Sequence, residues 1–85
     1  MSTISLVTGA NRGIGREVCR QLAELGHTVI LTARDPGAAA EAAQAVRAEP
    51  MRLDVTDRAS VADAAHWTKQ RYGKLDILVN NAAIT

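Results

Sequence analysis

The chain has 85 residues, 47% of them hydrophobic, which fits one small globular domain or a part of a larger one. Its net charge is +1 with scattered basic residues, and it has only one Trp and one Tyr, so it lacks the basic stripe and aromatic platforms of nucleic-acid-binding proteins. It also lacks an apolar run of membrane-spanning length, a signal-peptide pattern and clustered metal ligands, and Cys19 has no partner for a disulfide, so we predict a cytoplasmic chain.

The first predicted strand and helix flank a glycine-rich turn. Residues 4–8 begin with a β-branched and apolar run that is typical of a buried strand. A helix is predicted from about Gly13 to Leu25, with Gly26 in the left-handed position that ends many helices. Its apolar residues recur at helical spacing and predict one buried stripe, formed by Ile14, Val18, Leu22 and Leu25.

The rest of the chain continues this alternation. The predicted elements are, in order, a strand His27–Thr32, a helix from Pro36 to about Ala48, a strand Met51–Val55, a helix ending at Gly73 and a strand Leu75–Val79. Thr56 and Asp57 are both candidates for the N-cap of the third helix.

Alternating strands and helices predict the architecture. Right-handed crossovers between parallel strands place helices on both faces of one sheet. We predict an α/β, Rossmann-like doubly wound parallel sheet with strand order 3-2-1-4, truncated after strand four, and we interpret residues 1–85 as the N-terminal part of one such domain. Strands one and four then enclose the crevice where such folds bind ligands, and the glycine-rich turn lies beside the corner Asn80–Ala83.

Three glycines follow the first strand at the spacing G-x-x-x-G-x-G. Gly9 allows a sharp turn, Gly13 lets the backbone approach a phosphate, and Gly15 lets the helix lie close to the sheet. The helix that begins here has unpaired N–H groups and the positive end of its dipole, so the turn can bind an anion. The alternative is that the glycines serve only a tight turn.

The end of the second strand indicates which dinucleotide would bind. An acidic residue there accepts hydrogen bonds from the ribose hydroxyls of NAD and repels the 2′-phosphate of NADP. Thr32-Ala33-Arg34 contains no acid, and the guanidinium groups of Arg34 and Arg12 can both bind that phosphate. We therefore predict NADP. Asp35 argues the other way, and the alternative for Arg34 is a solvated surface residue.

Polar residues also occur at the end of the predicted third strand and just after the fourth. The Asp54 carboxylate can accept from an adenine amine while Val55 packs on the ring, and the alternative is that Asp54 only caps the next helix. One of Asn80 and Asn81 can join neighbouring strands through its amide while the backbone meets a ribose, and the alternative is a simple loop start.

Four motifs occur in order: Thr8-Gly9-Ala10-Asn11-Arg12-Gly13-Ile14-Gly15, Arg34, Asp54-Val55 and Asn80-Asn81-Ala82-Ala83. Together they resemble the short-chain dehydrogenase/reductase family of the classical type, and most of all its NADPH-preferring, carbonyl-reductase-like members. The resemblance implies that the pyrophosphate and adenosine ribose meet Gly9, Asn11, Arg12, Gly13 and Ile14. It also implies that Arg34 meets the 2′-phosphate, Asp54 and Val55 the adenine, and Asn80 with Ala82 the nicotinamide-side ribose. Ala83 departs from the family, which usually has glycine there.

The family resemblance implies hydride transfer between NADPH and a carbonyl or alcohol substrate, catalysed by a serine and a Tyr-x-x-x-Lys pair. Tyr72 is followed by Gly73 and Lys74, which is the wrong spacing, so we interpret it as a packing residue. We therefore predict no catalytic residue and no turnover for this chain alone, with a substrate only in a longer form. The alternatives are a stand-alone NADP-binding sensor module, or a fragment whose sheet is completed by a partner or by self-association through strand four.

Overall fold

A computed structural model of the chain describes residues 2–81. Strands and helices alternate in the order β1 Ile4–Val7, α1 Gly13–Glu24, β2 Thr28–Ala33, α2 Pro36–Val46, β3 Glu49–Arg52, α3 Arg58–Tyr72 and β4 Ile77–Val79. The strands form one parallel sheet in the order β3-β2-β1-β4, which confirms the predicted topology. None of the helices within residues 2–81 is long and apolar enough to cross a membrane.

The two central strands are buried on both faces. Every residue of β1 is buried, as are five of the six residues of β2, because parallel strands are covered by helices on each side. On one face Val7 and Leu31 pack with residues of α1 and α2. On the other face Leu6 and Ile30 pack with Ala64 of α3. This confirms helices on both faces of the sheet.

The helix boundaries follow their capping residues. Pro36 is the first residue of α2, as predicted, and the Asp35 carboxylate accepts from the Gly37 N–H at 3.0 Å. Asp57 rather than Thr56 caps α3, since its carboxylate accepts from the Ala59 N–H at 3.0 Å. Gly73 ends this helix as predicted and has a φ of 79°. Gly26, the glycine predicted to be left-handed after the first helix, has a φ of 90°.

Several predicted boundaries were wrong, including the start of the fourth strand, which lies at Ile77 instead of Leu75. The third strand begins at Glu49 and ends at Arg52, so Asp54 and Val55 follow the strand instead of ending it. Pro50 is tolerated within this strand because β3 lies at the edge of the sheet. The second helix ends at Val46 and not at about Ala48, because Arg47 adopts the left-handed conformation with a φ of 61°.

The predicted buried stripe of the first helix was also partly wrong. Ile14 is 78% exposed and Leu25 is 74% exposed, whereas Gly15 and Cys19 are the buried residues of α1. The buried face is rotated toward Gly15 because the start of the helix lies directly against the preceding turn. Val18 and Leu22 pack against the core as predicted.

Asp76 joins the start of β4 to the start of β1. Its Oδ2 atom accepts from the Ile4 N–H at 2.8 Å and lies 3.0 Å from the Lys74 Nζ atom. Its own N–H donates to the Ile4 carbonyl at 2.9 Å. The bond from Ile4 and then the Lys74 ammonium lower the pKa of the Asp76 carboxyl below its ordinary value of 3.8, so the ionised form stabilises this strand pairing.

Replacing Asp76 with Asn should lower the urea midpoint of unfolding at pH 7, because a neutral amide accepts more weakly and does not pair with Lys74. The pKa of Asp76 is lower in the folded than in the unfolded chain. The carboxylate therefore stabilises the fold above pH about 4, and this contribution is lost as the pH falls through the folded pKa. The difference in midpoint between wild type and Asp76→Asn should shrink below pH about 4.

Asp63→Asn is the matched control for that measurement. It removes an exposed carboxylate from α3 with the same change of charge, and it should leave the midpoint at pH 7 nearly unchanged. A wild-type advantage over Asp76→Asn that stays constant or grows below pH about 4 would contradict this role of Asp76.

Candidate functional site

The carboxyl ends of β1 and β4 meet at the glycine-rich turn. The Thr8 N–H donates to the Val79 carbonyl at 3.0 Å, and the Asn81 N–H donates to the Thr8 Oγ1 atom at 2.9 Å. The Asn81 side-chain amide donates to the Gly9 carbonyl at 3.1 Å. These bonds confirm that the turn lies beside the residues that follow β4, and they identify Asn81 as the asparagine that joins the two strand ends.

The three glycines of the turn are required for different structural reasons. Gly9 and Gly13 have φ angles of 57° and 65°, which residues with a side chain rarely adopt. Gly15 does not have a positive φ angle, but there is no space for a side chain at this position. An added Cβ would lie 2.5 Å from the Asn81 Nδ2 atom and 3.0 Å from the Gly9 carbonyl oxygen. Gly15 therefore lets α1 begin close to the turn and to Asn81.

The start of α1 differs from the starts of the other helices. Asp35 and Asp57 cap α2 and α3 with their carboxylates, but the N-cap of α1 is Arg12, and its side chain makes no capping hydrogen bond. The first turn of α1 also contains no acidic residue. The first N–H groups and the positive dipole end therefore lack the anionic cap that the other helices have, and an external anion can take its place.

The end of β2 lies against the same turn. The Ala10 N–H donates to the Thr32 carbonyl at 2.8 Å, which connects the segment before Arg12 to the strand that precedes Arg34. Arg34 is exposed. The neighbouring Asp35 carboxylate is used by the Gly37 N–H as the cap of α2, so the acid nearest to Arg34 in sequence points toward the next helix, as expected.

Asp54 belongs to the turn that follows β3. Its Oδ1 atom accepts from the Thr56 N–H at 3.0 Å and from the Thr56 hydroxyl at 2.6 Å. These two bonds are the main reason that the pKa of Asp54 is lowered, and the positive charges of Arg34 and Arg52 lower it further. Asp54 is therefore ionised close to Arg34, and the helix cap that was its alternative role is supplied by Asp57.

The other predicted residues are distributed as follows. Val55 is half-buried against the core, and Asn11 is also half-buried. Asn80 is exposed, and its Oδ1 atom accepts from the Thr8 hydroxyl at 3.3 Å. Ala82 lies outside the described residues. Ile14 is highly exposed, although it is a large apolar residue. Tyr72 packs against the core and makes an edge contact with Trp67 at 6.1 Å between ring centres, in agreement with a packing role.

Thr8 is the residue that the sequence interpretation did not select. Its backbone and hydroxyl groups together contact Val79, Asn80 and Asn81, so it organises the contact between the strand ends. A threonine at the end of an apolar strand, just before a glycine, was the available signal, but it does not identify the partners of the hydroxyl.

The chain is similar in sequence to known dehydrogenases and reductases. The model of the family described as short chain dehydrogenase matches residues 3–85. The chain is 52% identical to (-)-isopiperitenone reductase from Mentha piperita over 95% of its own length and 29% of that protein. It is 42% identical to carbonyl reductase (NADPH) 3 from Homo sapiens over 98% of its own length and 32% of that protein.

A solved structure, the menthone neomenthol reductase from Mentha piperita, superposes with a TM-score of 0.93 at 42% identity. It matches 99% of this chain and 32% of its own chain. The chain therefore spans about a third or less of the length of these proteins.

Proposed function

This chain belongs to the short-chain dehydrogenase family, and we propose that it is the NADP-binding, N-terminal part of a single Rossmann-like oxidoreductase domain. The observation that carries the proposal is the end of β2, where Arg34 follows the strand and the neighbouring Asp35 is used as a helix cap. In the whole protein, the cofactor would transfer a hydride to or from a carbonyl or alcohol substrate. This class of reaction is supported by the similar proteins that are named as reductases.

We assign the cofactor contacts along the strand ends. The pyrophosphate and adenosine ribose would meet the backbone of the turn, including Gly9, Asn11, Arg12, Gly13 and Ile14, and the nicotinamide-side ribose would meet Asn80 and Ala82. The exposure of Ile14 supports a bound group there, because a bound dinucleotide would cover its 78% exposed side chain. Gly15 and Asn81 would act by holding the turn in place.

Adenine and the 2′-phosphate would bind on the β2–β3 side of the turn. Val55 would pack on the adenine, while the ionised Asp54 accepts from its amino group. Arg34 and Arg12 would bind the 2′-phosphate. Charge-assisted hydrogen bonds contribute roughly 1.5–3 kcal/mol each, so two of them suffice to favour NADPH over NADH by orders of magnitude.

We also propose that the protein works in a reducing compartment such as the cytoplasm. Burial raises the pKa of the Cys19 thiol to about 11, so the thiol stays protonated and unreactive. No disulfide joins residues 2–81.

Turnover is expected to require residues outside this stretch. The purified chain should bind NADPH but should not consume it when mixed with a panel of aldehydes and ketones, because its sequence contains no Tyr-x-x-x-Lys pair. Tyr72 ends α3 before β4 begins, which puts it toward the amino ends of the strands, whereas the glycine-rich turn lies at their carboxyl ends. NADPH absorbance followed over time tests this, and a substrate-dependent loss of absorbance that scales with chain concentration would contradict it.

One observation favours a second role, as a unit that is completed by another segment or a second copy. In the described chain β4 pairs with β1 on one side, and Leu78 of β4 is 61% exposed. Leu78 borders an apolar groove of about 280 Å³ beneath α3 that also contains Leu6 and Leu53. Light scattering over a range of concentrations tests self-association: a strictly monomeric, cooperatively folding chain excludes a second copy as the partner.

A further inference from the structure

A second cleft adjoins the glycine-rich turn, between the start of α1 and the first half of α2. Its volume is about 230 Å³, and it is lined by Asn11, Arg12, Arg16, Ala38, Glu41 and Ala42. Arg12 belongs both to this cleft, which we call the α1–α2 cleft, and to the proposed cofactor site. The small side chains of Ala38 and Ala42 leave the space open on the α2 side.

The charges of the cleft are unusual for the start of a helix. Arg12 is the N-cap of α1 and Arg16 is its fourth residue, so two cations surround the positive end of the helix dipole, where acidic residues would stabilise it. In the described chain, no ion pair is formed by Arg16, whereas Arg20 in the next turn is paired with Glu17 and Glu24. The guanidinium of Arg16 is therefore exposed and available to an anion.

Glu41 is the acidic residue of the same cleft. It lies on α2 between Ala38 and Ala42, and it is exposed and forms no ion pair in the described chain. It faces the space shared with Arg12 and Arg16 without neutralising either of them by direct contact. An anion in the cleft would be attracted by two guanidinium groups and repelled by one carboxylate.

We infer that the α1–α2 cleft holds one side of the 2′-phosphate of NADP, with Arg16 as a further cationic contact and Glu41 as an opposing charge. This rests on the proposed function, because Arg12 connects the cleft to the proposed phosphate site. The 2′-phosphate carries nearly two negative charges at neutral pH, and NADH lacks it. Arg16 and Glu41 therefore contribute to the preference for NADPH over NADH, because they act mainly on the phosphate that NADH lacks.

Calorimetric titration of the whole chain with NADPH and with NADH tests the assignment. Arg16→Gln should weaken NADPH binding about three- to tenfold, and Glu41→Gln should strengthen it about two- to fivefold, with a much smaller change in NADH affinity in both variants. Arg20→Gln and Glu24→Gln are the matched controls, since they make the same charge changes on α1 outside the cleft. Circular dichroism checks that the variants, all at exposed positions, remain folded.

The outcomes separate the two levels of the proposal. A wild-type chain that prefers NADPH, with Arg16→Gln and Glu41→Gln each shifting NADPH and NADH alike or shifting neither, overturns the assignment of the cleft and leaves the proposed function standing. Control variants that change the preference as much as the cleft variants also overturn it, because the effect is then general electrostatics. A wild-type chain without preference for NADPH overturns the proposed function itself.

Discussion

Replacing Arg34 with Asp should reverse the cofactor preference of the chain. The substitution removes a guanidinium that we assign to the 2′-phosphate and puts a carboxylate at the end of β2. That carboxylate repels the phosphate of NADPH and can accept hydrogen bonds from the ribose hydroxyls of NADH. We expect NADPH affinity to fall about 100-fold or more, while NADH affinity stays constant or rises.

The structure gives this substitution a clear physical setting. The Arg34 charge already lowers the pKa of Asp54, so a second carboxylate in place of Arg34 would face an ionised neighbour and increase the local negative potential. Arg47→Asp is the matched control. It makes the same charge change at the far end of α2, in a left-handed conformation that Asp tolerates, and it should leave the ratio of the two affinities unchanged. An Arg34→Asp chain that keeps the wild-type ratio would show that Arg34 is a solvated surface residue.

Gly15→Ala should both destabilise the fold and weaken dinucleotide binding. The new Cβ would lie 2.5 Å from the Asn81 Nδ2 atom and 3.0 Å from the Ala10 Cα atom and the Gly9 carbonyl oxygen. The Asn81 amide would have to leave the Gly9 carbonyl, and the backbone of the turn would have to shift. We expect a loss of about 1–3 kcal/mol in the free energy of unfolding, measured by urea denaturation. We also expect NADPH affinity to fall about tenfold or more, because the shifted turn no longer fits the dinucleotide.

Two further variants show whether the crowding at Asn81 causes the effect. Gly37→Ala is the control within a helix, because its added Cβ meets nothing closer than the Asp35 Oδ1 atom at 3.5 Å, and it should be tolerated. Combining Gly15→Ala with Asn81→Ala should cost less than the sum of the two single changes, since the clash and the hydrogen bond share one side chain. A Gly15→Ala chain as stable and as tight-binding as wild type would contradict the geometry proposed for the turn.

The sequence was a good guide to the site where the fold depends on a few special residues. Alternating elements and the right-handed crossover rule were enough to predict the strand order, and with it the meeting of the glycine-rich turn and Asn81. Asp35 was correctly expected to point toward the next helix, because an Asp before Pro36 is a strong N-cap signal.

The errors came from tertiary contacts that local patterns do not contain. The position of β3 depends on its pairing with β2, where Ala33 lies opposite Arg52, and a short edge strand has little pattern of its own. Ile14 was placed on the buried stripe because its spacing is helical, but the close approach at Gly15 rotates the buried face. The role of Thr8 depends on residues more than seventy positions away in the chain, and nothing local predicts such a partner.

The most direct test of the account is the relative affinity of the unmodified chain for NADPH and NADH, measured by calorimetric titration under identical buffer and salt conditions. The arrangement of Arg12 and Arg34 around the uncapped start of α1 predicts that NADPH binds at least about tenfold more tightly than NADH. A folded chain that binds neither cofactor, or that binds both equally, would contradict the central claim that this is an NADP site.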